Sequence, residues 1–417
     1  MTAIATGRAG EWQRYPMLPI AAALGYATSV IHIYGLGPYI EPISAEFGWT
    51  RTQTTAGLTI ATLIQAVFGV PIGFLVDRIG PRPLGLVGVV LTCAAFALIG
   101  TATGAAANWY MLWVVMAAAT LPVQATIWTS AVATRFEASR GLAFAVTLCG
   151  ASVAAALFPY LGTRLIAAYG WQTAMAIQAL VWVVVAFPVI LLFFRGARDR
   201  QPKKARDEAP APEMAEAVGF SFSEGLRSSV YLRLLLASLL FTFTILALVV
   251  HFLPILTGRG MDKLEAAGIA TLVGFFSIFG RLGTGLLLDR FRGSHVGAAV
   301  FVLPVAACLL LVAGGDGYAS AALAAALIGL TLGAEVDVIV YLTTKHFGLK
   351  NFGALYGGLL VALSIGTATG PLAASRIFDA YGSYGPFLWL SMVFMVASSI
   401  ALATLPAPRF DATRRSH

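Results

Sequence analysis

Apolar stretches about as long as a bilayer is thick follow one another along the chain, separated by short breaks of charge, Gly or Pro. Twelve can be counted. The first six cover 17–43, 52–76, 83–103, 109–134, 141–168 and 171–194, and the second six cover 231–256, 264–288, 296–313, 319–342, 352–378 and 384–405. None shows the period-2 alternation of a strand, so the pattern predicts an all-α protein of twelve membrane helices. Between the sixes, the segment QPKKARDEAPAPEMAEA has no apolar face and is expected to be a flexible linker. The predicted organisation is an N-terminal tail (1–16), a six-helix bundle (17–194), a linker (195–229), a second bundle (230–405) and a C-terminal tail (406–417).

Composition agrees with the pattern. Of 417 residues 59% are hydrophobic and 11% charged, whereas soluble domains carry roughly 25% charged residues. The mean hydropathy is +0.83. Cys93, Cys149 and Cys308 all lie in apolar runs without CxxC spacing, which indicates neither disulfides nor a metal site. The opening MTAIATGRAGEWQRYP is polar and basic and is expected not to be a cleavable signal.

The net charge of +8 would suggest nucleic acid in a soluble protein. Here its placement explains it. With both ends cytoplasmic, the inner segments collect 21 of the 27 Lys and Arg and the outer ones five, leaving Arg281 alone deep in a span. That asymmetry is the positive-inside signature. It predicts a multi-pass protein of the cell inner (plasma) membrane with both termini cytoplasmic, a bilayer protein with no nucleic-acid partner.

The halves echo each other. GFLVDRIGPR begins at Gly73 and GLLLDRFRG at Gly285, so Gly-x-x-x-Asp-Arg ends the second helix of each half, with Asp77 and Asp289 separated by 212 residues. Such a repeat predicts two related bundles with a substrate site at the midplane between them. No P-loop, HExxH or Gly-x-Ser-x-Gly is present, and neither an enzyme, a cofactor nor an ATP-driven pump is expected.

Charges inside the spans are candidates for chemistry, because they are costly there and usually face a cavity or a partner. Arg281 in TLVGFFSIFGRLGTGLLLDRF is the first. Its planar fork suits a bidentate carboxylate contact. Glu335 and Asp337 in GLTLGAEVDVIVYLTTKHF point to faces about 200° apart, so only one of them can share a cavity with Arg281. Either is a candidate for the coupled proton; the alternative is an ion pair that only fastens the eighth helix to the tenth. His32, with Tyr34 two residues on, is a candidate for substrate hydrogen bonding or proton relay, or else a histidine satisfied by its neighbours. His251 reads as a gate or structural donor. Gln65, Gln124, Thr126, Trp128 and Tyr356 are further polar groups in spans, as easily interhelical hydrogen bonds as pocket walls. Asp77, Arg78, Arg82, Asp289 and Arg290, with Arg135 and Lys345 as expected partners, read as conformational latches. Gly366, Gly370 and Pro371 mark close approach and bending in the eleventh helix.

At Gly73–Arg82 and its copy at Gly285–Arg290 the chain resembles the major facilitator superfamily. Within it, ISAEFGWTRTQ (43–53), RFEASRGLAFAVTLCGASVAAALFPYLGTRLIAAYGW (135–171) and HFLPILTGRGMDKLEAAG (251–268) are similar to the monocarboxylate and oxalate/formate branch. The resemblance implies that Arg281 binds a substrate carboxylate. It also exposes departures. An aspartate that branch members often carry four residues before that arginine is Ser277 here, a first-helix lysine corresponds to Tyr34, and the eleventh-helix lysine of the exchangers has no counterpart between Gly353 and Ser375. The expectation is a monomeric secondary transporter moving a small organic anion with protons by alternating access. The rivals are a proton-coupled efflux antiporter for cationic or amphipathic compounds and a transport-dead sensor. Against the antiporter, Pro159 follows Phe158 rather than the glycine of the antiporter motif.

Overall fold

The structure is a computed structural model that describes residues 8–136, 139–196, 220–314, 317–348 and 351–408. The central part of the expected linker lies outside the described residues, as does most of the C-terminal tail. So do the side chains of Asp77 and Asp289.

The described residues are helical throughout, without strands. After a short helix, α1 (Arg8–Arg14), the first expected span is broken into α2 (Met17–Ser29), α3 (Ile31–Tyr34) and α4 (Gly37–Phe47). Next come α5 (Arg51–Ile79) and α6 (Pro81–Ile99). The fourth span is α7 (Ala106–Thr120), a 3₁₀ turn (Leu121–Val123) and α8 (Ala125–Ala133). Arg140–Phe193 is helical except at Gly170, whose φ of 75° and ψ of 162° divide it into α9 (140–169) and α10 (171–193). A residue with a Cβ rarely takes that φ. A capped one-and-a-half-turn helix, α11 (Phe222–Arg227), precedes α12 (Ser229–Thr257), α13 (Lys263–Arg290) and α14 (Gly293–Ala313). The chain continues through α15 (Tyr318–Phe347), α16 (Phe352–Tyr381) and α17 (Gly385–Ala403). Among the described residues nine helical stretches are long and apolar enough to cross a membrane, Arg140–Phe193 counting once for its two arms, and Met17–Ser29 is a shorter apolar helix.

By their contacts the residues form two units. One holds the described residues to Trp49 and from Ala56 to 196; the other holds Thr50–Thr55 and everything from 220 on. Each is a six-helix bundle, and the same pairs recur in both. In the first unit α2 packs on α9, where a Cβ on Gly150 would strike the Ala23 carbonyl. In the second, α12 packs on α16, where a Cβ on Gly370 would strike the Phe243 carbonyl. Gly366 and Gly370 therefore serve close approach, and α16 runs unbroken past them and past Pro371. Helix α6 meets α10, as Arg82 Nη2 donates to the Leu191 carbonyl at 2.9 Å, and α14 meets α17 in the matching position.

The breaks in the first and fourth spans are the main departures from the expected helices, and both have a backbone cause. Gly35, Gly37 and Pro38 interrupt the first, and Pro122 the fourth. Proline removes a backbone donor; the residue before Pro122 stays helical, and the chain leaves helical geometry at Val30 (φ −111°, ψ 9°) and at Gln124 (φ −62°, ψ 159°). In a bilayer the freed groups need partners inside the protein. Thr92 Oγ1 donates to the Ala119 carbonyl at 2.9 Å and Trp128 Nε1 to the Val123 carbonyl at 2.7 Å. Gly88 leaves room for the Pro122 carbonyl against α6.

Candidate functional site

In the second unit the site begins with glycines. On α15, Gly329 and Gly333 are one turn apart and their missing Cβ atoms admit the carbonyls of Val273 and Ser277 on α13; on α13, Gly280 admits the Leu330 carbonyl in return. Small residues at this spacing let two helix backbones touch. The residues next to the seam, Arg281 on one helix and Glu335 and Asp337 on the other, are thereby brought to one place. Arg281 is 8% exposed and its Nη1 lies 3.5 Å from Asp337 Oδ1. That is the outer limit of a hydrogen bond. Its Nε is buried without a partner among the described residues, so among them one of the guanidinium's five donors is engaged. Glu335 is 6% exposed and within electrostatic reach of the same cation. Asp337 is the acid that meets Arg281; at 29% exposure it is also the one open to a ligand.

Ser277 stands one turn before Arg281. It is buried, its Oγ donates to the Gly274 carbonyl at 2.8 Å, and its own carbonyl faces Gly333 across the seam. Its side chain is tied to its own helix, and its backbone carries the contact between the helices.

In the first unit the helix breaks gather a second polar cluster. Gln65 Nε2 on α5 lies 3.2 Å from His32 Nε2 on α3 and 2.6 Å from Thr120 Oγ1 at the end of α7. With the amide nitrogen donating to both, His32 Nε2 accepts and its proton sits on Nδ1. That nitrogen is buried with no hydrogen-bond partner among the described residues. Tyr34, on the same single turn, is buried, and Gln124, extended at the second break, is half-buried. Trp128 fills the core: wholly buried, hydrogen-bonded to the Val123 carbonyl, its ring centroid 4.7 Å from that of Phe194 at a tilt of 57°, with Gly25 and Gly85 making room for its ring. Thr126 is exposed. Tyr356, on α16 of the second unit, is half-buried.

His251 has all its hydrogen bonds. Nε2 reaches the Pro371 carbonyl at 3.0 Å and Ser375 Oγ at 3.2 Å, and Nδ1 meets the Tyr384 hydroxyl at 2.9 Å. A carbonyl can only accept, so Nε2 carries the proton and Nδ1 accepts from Tyr384. Arg51 Nη1 donates to that hydroxyl at 2.6 Å and its guanidinium stacks 3.6 Å over Phe378. Asp379 accepts from the backbone N–H groups of Arg51 and Thr52 at 3.0 and 2.9 Å, capping the start of α5. Sequence reading counted Arg51 only as an outer charge and passed over Asp379, Ser375 and Tyr384. No local pattern announces a helix capped by a carboxylate 327 residues away.

Of the expected latch residues, Arg135 stacks on Tyr15 at 4.8 Å, donates to its hydroxyl at 3.0 Å, and donates to the Gly196 carbonyl at 3.0 Å. Beside it, Glu11 of α1 accepts from Ser139 N and Oγ at 2.9 and 2.6 Å. Lys345 lies 5.5 Å over Tyr341. Arg78 and Arg290 are exposed at the ends of α5 and α13, and Gly73, like Asp77 and Asp289, falls among the positions whose side chains are not described.

Two helical bundles with repeated pairings, apolar spans and intramembrane charges define a membrane transport fold. The chain belongs to the Major Facilitator Superfamily, whose family profile matches residues 22–357. It is 26% identical to monocarboxylate transporter 13 of Bos taurus over 88% of this chain and 83% of that one. It is 28% identical to a chloramphenicol resistance protein of Streptomyces lividans over 96% and 99%. To the MFS transporter asaE of Aspergillus flavus it is 26% identical over 66% of this chain and 60% of that one, less than two thirds of that relative's length. Among solved structures, the nucleoside transporter NupG superposes with a TM-score of 0.72 at 11% identity, covering 93% of this chain and 98% of that one. A bacterial homologue of the human lysosomal transporter Spinster, in an inward-facing and occupied conformation, gives 0.65 at 17% identity, covering 93% of each. The protein is a multi-pass membrane transporter of a small-molecule substrate and not an enzyme.

Proposed function

We propose that the chain carries a small organic anion, a mono- or dicarboxylate, by proton symport and alternating access, as a monomer in the cell inner (plasma) membrane with both termini cytoplasmic. The observation that carries this reading is the under-engaged guanidinium of Arg281, with one contact at 3.5 Å and a buried, unpartnered Nε. A substrate carboxylate taking two of its free donors would form the bidentate pair for which arginine is shaped.

Charge balance supports the coupling. Arg281 shares its surroundings with Glu335 and Asp337. With both acids ionised, one cation faces two anions, and adding a substrate carboxylate is repulsive. Proton uptake by one acid removes that repulsion, so proton and substrate bind together. Each within its own unit, the further substrate-site candidates of this reading are His32 with its unpartnered Nδ1–H, Tyr34 and Gln124 in the first and Tyr356 in the second; Trp128, sealed in the core, is not one of them. Asp77, Arg78, Arg82, Arg135, Asp289, Arg290, Lys345 and Gly73 belong to the conformational machinery. The similarity to monocarboxylate transporter 13 points the same way.

The test is counterflow in proteoliposomes with a panel of carboxylates, alongside Arg281→Ala and Arg281→Lys. Uptake of a carboxylate should fall by on the order of 100-fold in both, since a buried charge pair is worth several kcal/mol and lysine lacks the fork. Normal uptake by either variant sinks the reading.

A second reading is efflux of cationic or amphipathic compounds, with Asp337 or Glu335 recognising the cation. Its support is the similarity to the chloramphenicol resistance protein and to an agnestins efflux protein of Paecilomyces divaricatus, 24% identical over 79% of this chain. Exchange of label only with cations in the same assay would favour it.

A further inference from the structure

Away from the charges in the spans, the second unit has a cavity of about 460 Å³ where α12 begins and α15 and α17 end. Its walls include Arg227 of α11, Ser228 and Ser229 at the start of α12, His346 near the end of α15, and the apolar Phe347 and Pro406. We propose that this cavity binds a phosphate-bearing anion at headgroup depth.

Three independent features converge on it. The first is a helix N-terminus. Ser228 Oγ caps the Val230 N–H at 3.2 Å, and the remaining first-turn N–H groups of a 29-residue helix point out of its end. Such a terminus favours an anion. The second is His346, whose side chain is 4% exposed and lines the cavity. It has no hydrogen-bond partner among the described residues. Its ring nitrogens are not among the sealed-off polar atoms, so they reach the cavity and stand open to a ligand there. The third is charge. Arg227 is exposed and lines the cavity, and Arg292 donates to the Leu405 carbonyl at 2.7 Å, next to Pro406 of the wall.

One wall residue opposes an anion. Glu224 lines the cavity, and its Oε2 accepts from Ser221 N and Oγ at 3.0 and 2.6 Å in the capping box of α11. The carboxylate is thus tied to its own helix. The remaining wall, from Phe220, Val230, Phe347 and Pro406, is apolar. A phosphate on an apolar glycerol body matches both halves. The same chemistry is offered by an anionic lipid headgroup and by free phosphate, and neither depends on which substrate the transporter carries.

The test uses the full chain purified in neutral detergent, with thermal unfolding followed against short-chain phosphatidylglycerol, short-chain phosphatidylcholine and inorganic phosphate. A ligand that binds only the folded state raises the midpoint with concentration. Phosphatidylglycerol should give a saturable rise exceeding that of phosphatidylcholine. A rise as large with inorganic phosphate would support the site and assign it to the phosphate group alone. Arg227→Gln should weaken the apparent Kd by about tenfold, the loss of one charge-assisted hydrogen bond. Because Arg227 is exposed, folding is not at stake. His346→Gln should weaken it similarly. Glu224→Gln keeps the capping box, which glutamine also completes, and should tighten binding severalfold. A purely structural role for α11 would not produce opposite signs at Glu224 and Arg227. Unchanged binding in both, or no midpoint rise with any of the three probes, overturns the proposal.

Discussion

The two bundles repeat the same helix pairs but place polar groups in the membrane by different means. In the second unit the helices stay continuous, and glycines at 280, 329 and 333 press α13 and α15 together until an arginine meets an aspartate. In the first unit the helices break, and neutral side chains serve the breaks: Thr92 takes the Ala119 carbonyl, Trp128 takes the Val123 carbonyl, and Gln65 ties the His32 ring to the Thr120 hydroxyl. Ionic chemistry is thus built on close backbone approach, and neutral hydrogen-bonding chemistry on irregular backbone. The broken bundle has the more adaptable polar groups; the continuous one holds the stronger charges. One repeat supports both because its pairings do not require the helices to be uninterrupted.

The contrast can be broken at the seam first. Gly333→Val puts side-chain atoms where the Ser277 carbonyl lies; overpacking of this kind should cost about 3 kcal/mol, read as a lower unfolding midpoint in detergent. If the second unit tolerates it, close approach is not what holds Arg281 against Asp337. In the first unit, Gln65→Leu removes the donor to His32 Nε2 and should cost about 2 kcal/mol, again in midpoint; Gln65→Glu, an acceptor in place of that donor, regains part of the loss only by drawing the His32 proton to Nε2. Next in size is Asp337→Asn. Uptake should fall by about tenfold and lose much of its pH dependence if Asp337 carries the coupled proton. A full pH dependence retained in this variant, and lost in Glu335→Gln, would hand the role to the buried acid. The smallest effect is expected of Thr92→Val, which keeps the volume but leaves the Ala119 carbonyl unpaired, at about 1 kcal/mol.

Much of this was legible beforehand. The spans from 83–103 and 141–168 onward fall within a few residues of their helices, because a bilayer-length apolar run bounded by charge needs no tertiary partner to be recognised. The turn at Gly170 lay in the gap between the fifth and sixth expected spans. The helical angle between Glu335 and Asp337 already implied that one acid alone would meet Arg281. The choice of Asp337 did not follow, since it depends on how α15 is rotated against α13. The breaks at 30–36 and 121–124 were missed although Gly35, Gly37, Pro38 and Pro122 stand in plain view. Proline is tolerated within many membrane helices, including α9 and α16 here, and whether it breaks one depends on whether neighbours can take the freed groups.

Sequence alone determined the class of solvent, the number of spans, the internal repeat and the identity of the costly charges. Each follows from local physics: the transfer of apolar side chains, the asymmetry of Lys and Arg, and the spacing of a motif. Tertiary structure decided which acid faces Arg281, that His32 leans on Gln65 with one nitrogen to spare, that Asp379 caps α5, and that Arg227 and His346 share a cavity. These depend on the rotation and breakage of helices against one another. Contacts between residues far apart in sequence set those features, and no single stretch of the chain contains them.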